Sequence, residues 1–315
     1  MIVWGLLALG PFVLSEFGLF LVPEILILGL LAASLDLLVG FTGLPSLGHA
    51  TYFGVGGYAA ALFSLNVSDN ALLALAISVA AAGVVAVVTG WLAVRTRGVY
   101  FLMLTLAFAQ LLFSLAVTWD PVTGGSNGLA GIPRASLLPG DDGALLSSDA
   151  SFYYYVLIAF ILGYSLLRRV VTSPFGLTLE GIRENEARMR SVGYSTVACK
   201  LGSFVLAGGV AGYAGALFVQ HERFISPSNV AFEVSALALI MVIVGGRGTL
   251  YGPVLGAAIV LLLRDELSRA FLENWRIVLG LIFIAIVYLL PHGVAGAFRS
   301  AARFATDRLR RTATA

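Results

Sequence analysis

Long apolar runs separated by short polar intervals organise this chain. Ala71 to Val94, Phe101 to Val117 and Phe152 to Leu167 are nearly continuous in apolar residues. At about 1.5 Å rise per residue, each covers most or all of a hydrocarbon layer roughly 30 Å thick. The residues do not alternate between polar and apolar, so the runs predict transmembrane helices, not barrel strands. Further spans are expected near 198 to 220 and over Ile277 to Leu290.

Two apolar regions break this regularity. Thr42 to Gly57, TGLPSLGHATYFGVGG, holds five glycines, a proline and a histidine within the longer stretch Glu24 to Leu65. The second, Ala231 to Leu263, is too long for one crossing and short for two, and carries GGRGTLYGP at Gly245 to Pro253. Glycine and proline release backbone groups from the helical ladder. In hydrocarbon such groups must be satisfied by protein or by a water-lined cavity. Paired interruptions in the two halves of a chain point to a transporter's path. Gly43, Ser46, Gly48, His49, Gly248 and Thr249 are therefore candidate path or gating residues. The alternative is that the glycines only permit close helix packing, which is the reading for Gly208, Gly209, Gly212 and Gly215.

Composition agrees with a membrane protein. Of 315 residues, 59% are hydrophobic and 11% charged, against about 25% charged in soluble domains. The expected fold is an all-α integral membrane protein of about ten transmembrane or half-membrane helices, two of the pairs interrupted by glycine-rich breaks. The lone Cys199 cannot form an intrachain disulfide. The N-terminal MIVWGLLALG lacks the basic region of a cleaved signal peptide, so the first span is expected to remain.

Charge distribution sets the orientation. The interval 119–151 carries four aspartates and one arginine and is expected on the periplasmic side. Arg95 and Arg97, the interval 171–197 with its flanks Arg168, Arg169 and Lys200, and the arginine-rich tail 292–315 are basic and expected in the cytoplasm. Residues 1–291 then form the permease domain, with both termini cytoplasmic in a multi-pass protein of the bacterial plasma (inner) membrane. In the tail, Phe298, Ala302, Ala305 and Leu309 fall near one helical face, which suits an amphipathic helix on lipid headgroups or a solvated basic end.

The cytoplasmic interval contains a predicted helix, Leu177 to Val192, stopped by Gly193. Leu179, Ile182, Met189 and Val192 would form one apolar face. Arg183, Glu184, Glu186, Arg188 and Arg190 would cover the solvated remainder. A span follows at once, so this helix should lie flat beneath the bilayer, where it could meet a soluble partner.

These motifs, in this order, resemble the LivM-type permease subunit of ABC importers for branched-chain amino acids. The resemblance runs over nearly the whole chain, through LDLLVGFTGLPSLGHATYFGVGGYAAAL, RGVYFLMLTLAFAQL, TGGSNGLAGIPR, SPFG and GGRGTLYGPVLGA. It implies a coupling helix around Arg183, Glu184, Glu186, Ala187, Arg188 and Gly193 that inserts into an ATP-binding subunit. It also implies a second homologous, LivH-like permease, two ATP-binding subunits that bind ATP and Mg, a periplasmic substrate-binding protein and the lipid bilayer as partners. No cofactor is expected on this chain and no nucleic acid as partner. Leucine, isoleucine and valine are the implied solutes, with urea or short amides as the alternative cargo. Departures are visible: Gly193 falls one residue late for the coupling-loop pattern, Arg188 stands where an alanine is usual, Leu44 and Pro45 replace a Gln-Leu pair, and Leu177 replaces an arginine.

No nucleotide-binding loop is present, since GGRGTLYG lacks the required lysine. His49, His221 and His292 have no metal spacing, and His221 with Glu222 reads as a solvated helix end. A secondary transporter would need ion ligands at a break, where only Asp36 comes near, and Asp36 is expected to face the bundle interior. An intramembrane enzyme would need Ser46 and His49 on one helical face, with no orienting third group evident.

Overall fold

The computed structural model describes residues 10–13, 15–137, 145–146, 148–270, 275–289 and 293–296. The expectations for the N-terminal stretch and for the basic tail lie largely outside these residues. Ten helices of fourteen residues or more make up the described fold: α1 Glu16–Asp36, α2 His49–Asn66, α3 Ala71–Ala93, α4 Val99–Thr118, α5 Asp149–Val171, α6 Pro174–Ser191, α7 Thr196–Glu222, α8 Phe232–Gly245, α9 Tyr251–Ala270 and α10 Trp275–Leu289. No strand occurs among them. Six stretches are long and apolar enough to cross a membrane, and this is a multi-pass membrane protein.

Short polar residues start several of these helices. Asn70 Oδ1 accepts the Leu73 amide at 3.0 Å, Ser148 Oγ the Ser151 amide at 3.2 Å and Ser173 Oγ the Gly176 amide at 3.4 Å. Each satisfies one amide that the first turn would otherwise leave unpaired.

Burial separates core from periphery. The stretch Glu16–Thr42 is 89% buried and Thr196–Glu222 72%, whereas Val99–Thr118 is only 22% buried. The core is thus α1 and α7, wrapped by α2, α3, α5, α8 and α9. Small residues bring the backbones together. A side chain on Gly56 would strike the backbone of Gly212, one on Gly215 the carbonyl of Phe53, and one on Gly208 the methyl of Ala86 at 2.6 Å. Tyr52 Oη and Thr89 Oγ1, 2.8 Å apart, pin α2 to α3. The packing role expected for Gly208, Gly212 and Gly215 fits this geometry. Gly209 differs, because only Val79 lies near it, at 3.6 Å.

The bundle has two distinct ends. At one, Arg97 between α3 and α4 meets Glu186 of α6 at 3.3 Å. At the other, Ala71 donates to the Ser136 carbonyl at 2.7 Å and Leu129 pairs with Ile225. The basic segment around Arg97 and the basic helix α6 therefore share one end, and the interval after α4 occupies the other. His221 is not a solvated helix end: its ring lies between Phe20, at 4.4 Å, and Phe152, at 5.7 Å. An aromatic sandwich at a bundle end holds the imidazole by packing, not by hydration.

Candidate functional site

The first glycine break does not divide one membrane span into two short pieces. After Asp36, α1 continues as a π-helical segment, Leu37–Thr42, so that the run from Glu16 is unbroken over 27 residues. Thr42 Oγ1 donates to the Leu37 carbonyl at 2.8 Å, one residue beyond α-helical spacing. Gly43, at φ 75°, then turns the chain in the left-handed region that glycine adopts without steric cost. An irregular strip follows to Gly48, and α2 starts at His49.

The second break, Gly246 to Leu250, folds against the first. Gly246 and Gly248 have φ of 109° and 73°, and Leu250, a branched residue, is also held at φ 53°. Asp36 supplies the reason that this turn is stable. Its fully buried carboxylate accepts the amides of Gly248 at 2.7 Å and of Thr249 and Leu250 at 3.2 Å each. Three donations to one carboxylate both compensate its burial and hold the strained turn. Thr249 in turn starts α9, its Oγ1 accepting the Gly252 amide at 3.0 Å. Gly40 sits against this turn so closely that any side chain would collide with Gly248 and with Asp36. Asp36 faces the interior, as its position in the apolar run suggested; that it organises the other break was not legible there.

Helix α6 reaches the same point. Arg183 Nη1 donates to the Gly40 carbonyl, and its alkyl stem lies over Gly43. The carbonyl is open to it because it lies in the last turn, where the Leu44 amide donates instead to the Leu38 carbonyl at 2.8 Å and Pro45 has no N–H to give. One arginine from the basic end thus touches both residues that turn the first break, at the place where the second packs onto it.

The expectation that Glu186 belongs to the solvated face of α6 is corrected by a kink, whereas Arg183 stays exposed even as its guanidinium reaches Gly40. Asn185 has φ −156° and ψ 92°, outside the helical region, and its Oδ1 accepts the Arg188 amide at 2.9 Å. It ends one helix and caps a second, which changes the phase of the faces. Glu186 turns inward as a hub: its carboxylate pairs with Lys200 at 2.6 Å, Arg190 at 3.0 Å and Arg97 at 3.3 Å, and accepts the Thr196 hydroxyl at 3.2 Å. Partial burial pushes the Glu186 carboxyl up, but the Lys200 hydrogen bond and the charges of Lys200 and Arg97 outweigh it and hold the group below the usual carboxylate range. Lys200 is almost wholly buried, so the two ends of this pair depend on each other.

The outward face of α6 carries Glu184, Ala187 and Arg188, with Val192 and Tyr194 exposed beyond them. Leu179 and Ile182 are buried against the bundle, but Val192, expected on the apolar face, is 69% exposed. Gly193, at φ 99°, closes the helix. Its amide donates to the Arg190 carbonyl and that of Tyr194 to the Met189 carbonyl, a Schellman termination.

Ser46 and His49 lie deeper and apart in role. Ser46 Oγ, in the irregular strip, accepts the Gly48 amide at 3.3 Å, and His49 Nε2 is 2.8 Å from Ser34 Oγ. Both are fully buried, and they do not share the helical face an Oγ–imidazole pair would need. Gly48 is packed on the Thr105 carbonyl. Gly54, Gly56 and Gly57 fall inside α2 and serve close contact with Val230, Gly212 and Ile225. Here the N-termini of α2 and α8 meet, as the Ala50 amide donates to Ser235 Oγ at 2.8 Å. Among the described residues, no group of three or more His, Cys, Asp or Glu could hold a metal ion.

The family model for the permease component of branched-chain amino acid transport systems matches residues 19–287. The chain belongs to this family. The permease is 29% identical over 303 residues to the Escherichia coli high-affinity branched-chain amino acid transport system permease protein LivM, covering 90% of this chain and 71% of that one. It is 21% identical over 329 residues to the probable LivM of Methanocaldococcus jannaschii, covering 90% and 92%. It is also 23% identical over 285 residues to the probable LivH of the same organism, covering 86% and 89%. No solved structure is significantly similar to it.

Proposed function

We propose that this permease is the membrane subunit of an ATP-driven importer of leucine, isoleucine and valine, in which α6 receives force from ATP-binding subunits and Arg183 passes it to the two glycine breaks. The observation that carries this reading is the Arg183 contact with the Gly40 carbonyl, beside the turn that Asp36 caps. A load on the exposed face of α6, at Glu184, Ala187 and Arg188, has a short route to the two glycine breaks, where the end of α1 and the α8–α9 junction leave regular helical bonding. Val192 and Tyr194, exposed at an aqueous end, offer the apolar contact that a docking partner would cover. ATP and Mg belong to those partners, since this chain has no phosphate-binding loop.

In this reading a second, LivH-like permease completes the passage, and a periplasmic binding protein docks at the end formed by residues 119–151. The basic end faces the cytoplasm of a plasma-membrane protein, following the excess of arginine there. Gly43, Gly48, Gly248 and Thr249 act as gating positions through backbone geometry, and the buried Ser46 and His49 hold that geometry from behind.

The test is uptake by the complete complex in proteoliposomes with ATP inside, using leucine, isoleucine, valine, alanine and urea. ATP-dependent uptake confined to the branched aliphatic amino acids is the expected result. Uptake of urea alone would move the cargo, and uptake without ATP would remove the coupling mechanism.

A further inference from the structure

The least buried of the six apolar spans, α4, carries one stripe that lipid cannot cover. Gln110 is exposed and is the twelfth of the twenty residues of α4, so it lies about 16 Å along a helix of about 30 Å, near mid-membrane. Opposite it, at the first turn of α8, stands Glu233, also exposed. Its depth is fixed independently, because Ser235, two residues on, bonds to Ala50 at the deep N-terminus of α2. Gln110 and Glu233 line one groove of about 580 Å³ together with Met103, Phe113 and Phe232, a volume in the range of small-molecule sites.

Among the described residues Glu233 forms no ion pair, although Glu24, Glu186 and Asp265 all do. A carboxylate at mid-membrane without a counter-ion in its own chain is not stable against lipid tails. Such a group faces either water in a passage or a cation that comes to it. We infer that this groove is this chain's wall of the solute passage and that Glu233 selects zwitterionic amino acids by pairing with their ammonium group, an inference that rests on the import reading above. Gln110 supplies an amide that donates to the solute carboxylate. Met103, Phe113 and Phe232 give an apolar surface for an aliphatic side chain. The same geometry disfavours neutral amides, which have no cation for Glu233, and solutes bearing only a carboxylate, which it repels. The binding protein sets which solute arrives; this pair sets which charge pattern passes.

The experiment compares wild-type, Glu233→Gln, Glu233→Asp and Gln110→Ala complexes in proteoliposomes, with ATP-dependent leucine uptake as readout. Glu233→Gln is expected to lower uptake at least tenfold and Gln110→Ala severalfold, with Glu233→Asp retaining most activity. Co-purification with the second permease and basal ATP hydrolysis should be unchanged. Equal uptake by wild type and Glu233→Gln overturns this inference alone. Loss of co-purification in Glu233→Gln also overturns it, since Glu233 is then a subunit contact. A wild-type complex that imports no amino acid overturns the import reading and this inference with it. A second readout does not depend on transport. In a Cys199→Ser background, Gln110→Cys and Glu233→Cys should react with a water-soluble thiol reagent in the assembled complex, while Val84→Cys, exposed on α3, should not. Failure of both to react overturns the inference.

Discussion

The carboxylate of Asp36 accepts the amide of Gly248 across 212 positions of sequence, at 2.7 Å. A buried acid in one break therefore acts as the cap of the other, and the two glycine-rich elements form one structure.

Replacing Asp36 tests that unit. Asp36→Ala leaves the amides of Gly248, Thr249 and Leu250 without their acceptor in a buried setting. At about 1 to 3 kcal/mol for each unsatisfied group, the expected loss is large enough to lower the thermal midpoint of the purified protein and the yield of folded protein. Asp36→Asn keeps one acceptor oxygen and should fall between wild type and Asp36→Ala. Thermal unfolding in detergent measures this order, and an alanine variant as stable as wild type would show that the three contacts contribute nothing.

Arg183 should behave differently from Asp36, because its side chain crosses between elements at the aqueous edge. Arg183→Ala is expected to leave the complex assembled and ATP hydrolysis intact, but to reduce transport about tenfold or more, as loss of a charged hydrogen bond of roughly 1.5 to 3 kcal/mol implies. The measured quantity is solute moved per ATP hydrolysed. An unchanged ratio would mean that the contact with Gly40 carries no force.

The helices themselves were legible because lipid imposes a simple rule: long continuous apolar runs must be helical. The places where the rule fails were legible too, as glycine and proline clusters. What filled those places was not. Gly54, Gly56 and Gly57 stand beside the break in sequence but serve helix packing, and only the contacts with Val230, Gly212 and Ile225 separate them from Gly43. Glu186 was misplaced onto the solvated face because a uniform helical period was assumed through Asn185; Arg183, before the kink, is exposed as expected, and only its reach to Gly40 was not legible. An asparagine inside a charged helix, three residues before Arg188, is a capping signal that could have revealed the kink. Gln110 and Glu233 were not singled out from the sequence, because the groove they share arises from two distant segments.

The kink divides α6 into positions with opposite responses to charge reversal. Glu186→Lys places a cation against buried Lys200 and should cost about 3 to 5 kcal/mol, as breaking a buried pair does, so it is expected to lower folded yield. Arg188→Glu changes an outward side chain and should leave stability unchanged while weakening association with the ATP-binding subunits. Co-purification and thermal stability, measured on both variants, separate the two effects, and an identical loss of stability in both would remove the assignment of faces.

The Glu186 hub also predicts a pH response. Its carboxyl is held below the ordinary glutamate value of 4.5 when folded, so the folded state binds fewer protons at this site than the unfolded chain. Its contribution to stability is therefore present above that value and is lost as pH falls through the lower folded value. Glu186→Gln removes this dependence and leaves Lys200 unpaired at every pH. Wild type should thus lose more stability than Glu186→Gln on acidification below about pH 4.5, while Glu186→Gln is less stable at neutral pH. Restoring part of that neutral-pH loss with Glu186→Gln combined with Lys200→Met would assign it to the buried ammonium. A double variant no more stable than Glu186→Gln alone would place the cost in Arg97, Arg190 or Thr196, which lose the same partner.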